Sequence, residues 1–84
     1  MTKEKFTTIR PGDILSNKTF DEKGSVMGWD YLVIGIGCKY DVQFIRVRTM
    51  WEIHRELQLG ARYELFKDNV EEYSNLYIKF KNDL

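Results

Sequence analysis

The chain has 84 residues, in which 13 lysines and arginines are balanced by 13 aspartates and glutamates. Zero net charge excludes a chain that is basic throughout, as a nucleic-acid or lipid binder would be, and one that is acidic throughout, as a nucleic-acid mimic would be. The length allows one domain spanning residues 1–84, and 14% aromatic residues must supply much of its thin core.

Cys38 is the single cysteine, so no intramolecular disulfide can form, which points to a reducing, cytoplasmic setting. Met1 to Lys5 leads into no apolar stretch, so no signal peptide is expected. The longest apolar run, Tyr31 to Gly37, falls well short of the about 20 residues of a membrane span.

In chain order, Pro11 and Gly12 occupy the second and third positions of a type II turn within Ile9–Asp13, and a strand is predicted to start at Ile14 and Leu15. Phe20 to Ser25, with Asp21, Glu22, Lys23 and Gly24, reads as an exposed loop. Asp30 to Cys38 is the strongest strand, rich in β-branched and aromatic residues. Lys39-Tyr40-Asp41 is its hairpin tip and Val42 to Met50 the partner strand. Alternation places Ile45, Val47 and Trp51 on one face and Phe44, Arg46 and Arg48 on the other, with Ile34 and Val47 as buried partners across the hairpin.

Thr49 to Gly60 fits two periods. Read as a strand, Trp51, Ile53, Leu57 and Leu59 share a side, with Arg55 out of place. Read as a helix, Thr49 is the N-cap, Glu52 completes a capping box, Met50, Ile53 and Leu57 form a stripe and Gly60 is the stop. The capping signals favour a short helix near residues 50–58. Beyond it come a strand within Ala61 to Phe66, a polar connection from Lys67 to Ser74, a last strand from Leu76 to Phe80 and a frayed tail from Lys81 to Leu84.

Short strands joined by tight turns predict a mainly β fold whose antiparallel sheet curls on itself. The opening Pro-Gly-Asp turn into a strand, followed by a long loop and a hairpin, is similar in layout to Src-homology-3-like (SH3-like) barrels. A small SH3-like antiparallel β-barrel is therefore the expected architecture. It closes a core from few residues and leaves little exposed edge.

No standard catalytic constellation is present. Gly35-Ile36-Gly37 would need a third glycine at position 40 to be a dinucleotide fingerprint, and Tyr40 stands there; the glycines are expected to let the strand bend or bulge. His54 shares a face with Glu52 and Glu56 only on a strand, where the three could diverge too far for one ion, so no metal and no cofactor are assigned. Cys38 is expected to be a small buried apolar side chain. No serine has the flanking glycines of a nucleophile elbow.

The residues that suggest binding are Arg46 and Arg48, which project side by side on a strand next to Phe44, with Tyr31 or Tyr40 opposite. Rings interleaved with cations suit protein hot spots and also base stacking with phosphate neutralisation. Trp29, in a loop beside Met27, is a further anchor candidate. The function expected is a non-enzymatic binding or regulatory module. Its partner is a larger protein in the first reading and a nucleic acid in the second, with no membrane. In size and charge it resembles accessory proteins of phages and mobile elements.

Overall fold

The computed structural model describes residues 1–54 and 63–83. The chain opens with a helix, α1 (Lys3–Thr8), that the sequence reading did not contain. The Thr2 side chain accepts the Lys5 N–H at 3.1 Å, and the Ile9 N–H donates to the Phe6 carbonyl, so both ends are capped. Phe6 and Ile9 then bury their side chains. The predicted turn follows, with Gly12 at φ +94° and the Asp13 N–H donating to the Arg10 carbonyl at 3.1 Å.

Strands β1 (Ile14–Ser16), β2 (Thr19–Phe20), β3 (Val26–Met27), β4 (Asp30–Lys39) and β5 (Val42–Thr49) come next. Helix α2 (Met50–His54), strand β6 (Tyr63–Phe66), a 3-10 helix (Lys67–Tyr73) and strand β7 (Tyr77–Phe80) complete the described chain. Five strands form one antiparallel sheet in the order β6-β5-β4-β1-β7, while β2 and β3 make a separate hairpin. The last strand returns beside the first, which curls the sheet into a half-barrel of the expected mainly β, SH3-like kind. Among the described residues no helix is long and apolar enough to cross a membrane.

Leu15, Val33, Ile45 and Val47 line the concave face and meet Phe6, Ile9 and Val70 in one core. Helix α1 packs on the 3-10 helix, and the 3-10 helix packs on β5 and β6, which fills the side the sheet leaves open. The segment read as a polar connection, Lys67 to Ser74, is thus this helix, held by buried Val70. Tyr40 and Asp41, both at positive φ, form the two-residue turn between β4 and β5 whose twist suits a hairpin.

Four expectations need correction. Ile34 is 38% exposed, and Val33 pairs with Val47 in its place. A bulge between Val33 and Gly35 inserts one extra residue, and one residue is enough to reverse the face of a strand. Cys38 is exposed, because the β4–β5 hairpin runs past the core. Trp51 is 43% exposed, because α2 breaks the strand alternation before it. Lys81 and Asn82 are not frayed: the Asn82 N–H donates to Asp13 Oδ1 at 2.8 Å, and Lys81 Nζ sits 2.5 Å from Asp13 Oδ2.

The bulge makes a direct prediction. Ile34→Ala is expected to cost no more than about 0.5 kcal/mol, the usual range for surface positions. Urea unfolding checks this. A loss of about 2 kcal/mol or more, the cost of truncating a buried isoleucine, would return Ile34 to the core.

The helix expected near residues 50–58 is present over Met50–His54; the rest of that span, with the expected stop at Gly60, lies outside the described residues. The same holds for Ala61 and Arg62, at the start of the expected fourth strand.

Candidate functional site

The arginine face exists, but its charges are engaged within the protein. On the outer face of the sheet Phe44 pairs with Phe66 and Arg46 with Glu64. Phe44 is only 7% exposed: its ring lies 5.7 Å from the Phe66 ring, with the Arg46 guanidinium and the Lys39 ammonium over it. Gly37 makes room for this, since a Cβ there would lie 2.7 Å from the Phe44 ring. Glu64 receives Lys39 at 2.8 Å and Arg46 at 3.3 Å, and these two cations hold its carboxyl below the ordinary value. Arg48 Nε lies 3.8 Å from the Glu52 carboxylate one helical turn on. Tyr40, 95% exposed at the hairpin tip, is the far end of β4 from Trp29 and Tyr31.

The aromatic residues gather elsewhere, at the mouth of the half-barrel. Trp29 is placed by its backbone: its N–H donates to Asn17 Oδ1 at 2.8 Å and its carbonyl accepts the Asn17 N–H at 3.2 Å. Gly28, at φ +95°, permits that closure, since a Cβ there would lie 2.6 Å from the Asn17 carbonyl oxygen. Thr49 ends β5 and caps α2, its hydroxyl accepting the Glu52 N–H at 3.2 Å. The capped turn presents Trp51 to Trp29 edge to face, with ring centres 6.4 Å apart. Tyr31 and Tyr63, from β4 and β6, form a second edge-to-face pair at 6.3 Å.

These two ring pairs wall one hollow of about 270 Å³, with Thr49 and Glu52 between them. A second hollow of about 200 Å³ shares Tyr31 and Tyr63 and continues between β6 and the 3-10 helix, where Tyr73 and Glu72 line it. The two adjoin at Tyr31 and Tyr63 and are together termed the cleft. Burial pushes the Tyr31 phenol above its ordinary value, with the Asn17 side chain opposing the shift, so the ring stays neutral in the cleft.

Of the residues named from the sequence, the structure thus joins Trp29 and Tyr31 in the cleft, puts Phe44, Arg46 and Arg48 on the opposite face of the sheet, and sets Tyr40 apart. Trp51, Tyr63, Tyr73, Glu52 and Glu72 were missed as cleft residues. Their only signal was a ring or carboxylate in each of several separated elements, which local spacing cannot join. Next to the cleft the β2–β3 hairpin exposes Phe20, Val26 and Met27. No family model, curated protein or solved structure matches the chain.

Proposed function

We propose that the protein is a non-catalytic binding module that acts by contact with a larger protein, and that the cleft between Trp29 and Tyr73 is its contact surface. One observation carries this: four rings of the half-barrel mouth, two of them tryptophans half open to solvent, stand around a hollow. Tryptophan and tyrosine dominate the energetics of protein interfaces. The nucleic-acid reading is weakened because Arg46 and Lys39 share Glu64, while Arg48 faces Glu52.

The test compares partners recovered from the native host by the wild type, by Trp29→Ala with Trp51→Ala, and by Arg46→Ala with Arg48→Ala. A protein retained by the arginine variant and weakened about tenfold or more by the tryptophan variant is the expected result, in line with the cost of removing hot-spot residues. Recovery of nucleic acid instead, with affinity falling steeply as salt rises, would assign the protein to phosphate contact.

A further inference from the structure

We infer that the cleft receives a basic side chain, lysine or arginine, carried by an extended segment of the partner. This rests on the reading of the cleft as a protein contact surface and specifies what that surface selects.

The first ground is the charge of the lining. Among the described residues, no lysine or arginine lines either hollow; the charged residues there are Glu52 in one and Glu72 in the other. Five of the other lining residues, Trp29, Tyr31, Trp51, Tyr63 and Tyr73, are aromatic, and the face of an aromatic ring carries negative potential. A cation within about 6 Å of such a face is attracted, most strongly by tryptophan. An anion meets the reverse at those ring faces and at the two carboxylates. Glu52 is buried and its charge is balanced by Arg48 at 3.8 Å, so direct contact with a cation falls to the other carboxylate. Glu72, exposed on the 3-10 helix, can meet an incoming cation directly.

The second ground is the strand beside the cleft. Tyr63 and Leu65 of β6 line the second hollow, and β6 ends the sheet order, paired with β5 alone among the described residues. An edge of this kind offers backbone N–H and C=O groups to an extended chain. A peptide laid along it would place alternate side chains toward the cleft. A free small cation would use the rings and leave that edge idle.

The experiment selects a displayed library of random ten-residue peptides on the intact protein and follows binders by intrinsic emission. Trp29 and Trp51 are the two tryptophans of the chain, so emission reports on the cleft. Binders are expected to carry a lysine or arginine whose replacement by glutamine weakens binding at least tenfold. Trp29→Ala with Trp51→Ala, which removes the emitting rings and is therefore read by titration calorimetry, should abolish their binding, and Glu72→Gln, an exposed change that keeps the fold, should weaken it several-fold. Binders that shift the emission but tolerate loss of every basic residue overturn the inference while leaving protein contact standing. A library that yields no binder overturns it too. Protein contact falls with it if a single-stranded oligonucleotide then shifts the same emission.

Discussion

Asp13→Ala is expected to remove about 3 kcal/mol or more of stability, the low end of the cost of breaking a buried ion pair. The Asp13 carboxylate is fully buried and accepts from three directions: the Arg10 N–H at 2.8 Å, the Asn82 N–H at 2.8 Å and Lys81 Nζ at 2.5 Å. Lys81 also donates to the Thr8 carbonyl, so it keeps one partner in the variant, while the Arg10 and Asn82 N–H groups lose the carboxylate that accepts from them. For a domain of this size the loss corresponds to a midpoint roughly 12 °C lower or more. Thermal unfolding checks it, and a drop under about 4 °C, near 1 kcal/mol, would mean the carboxylate contributes little.

The same carboxylate gives the protein an acid limit. Burial pushes the Asp13 carboxyl up, but hydrogen bonds from Lys81, Arg10 and Asn82 together outweigh it and hold the carboxyl below its ordinary value. The unfolded chain, with an aspartate value of about 3.9, therefore takes up the proton first as pH falls. The stabilisation is complete well above that value and is lost as pH drops through it toward the lower folded value. Asp30, held low by Lys79, Ser16 and Lys18 against its own burial, acts in the same sense. Wild type minus Asp13→Asn, measured from pH 7 to pH 3, isolates the Asp13 share; the gap should narrow with acid.

Phe6→Ala is expected to be at least as costly, at about 3–5 kcal/mol. Helix α1 has six residues, too few to hold a helix without packing. Phe6, 1% exposed, is the one residue of α1 buried in the core, where it joins Ile9, Leu15 and Val70. Truncating it opens a cavity and releases the helix from its anchor, so the variant should lose amide-exchange protection around residues 3–9 beyond the global loss. A cost under about 1 kcal/mol would show that the core closes without α1.

The contrast between these two residues shows what the sequence carries. The Pro11-Gly12 turn, the β4–β5 hairpin with Ile45 and Val47 inward, and the Thr49 cap were legible because each is decided by residues within a few positions. Helix α1 was not, since one buried ring in six residues sets no period. Ile34 and Cys38 were misjudged for different reasons. A bulge shifts the register at one, and at the other the hairpin outruns the elements that would cover it, which depends on the length of other parts of the chain. Two of the seven ring and carboxylate residues of the cleft, Trp29 and Tyr31, were legible, and only as separate residues. Its shape depends on β6 and the 3-10 helix arriving opposite them, and no local pattern encodes that meeting.

The tie between Asp13 and Lys81 also sets an order of events during synthesis. The two residues are 68 positions apart, and β1 lies between β4 and the late strand β7. While the chain is emerging, the β4–β5 hairpin can form early, since such hairpins close in about 1–10 μs. Strand β1 can then dock on β4, but its other edge stays open and the Asp13 carboxylate has no cation from the tail. Completion of the fold therefore requires residues 68 positions apart to meet, and β1 keeps one edge unpaired until β7 arrives.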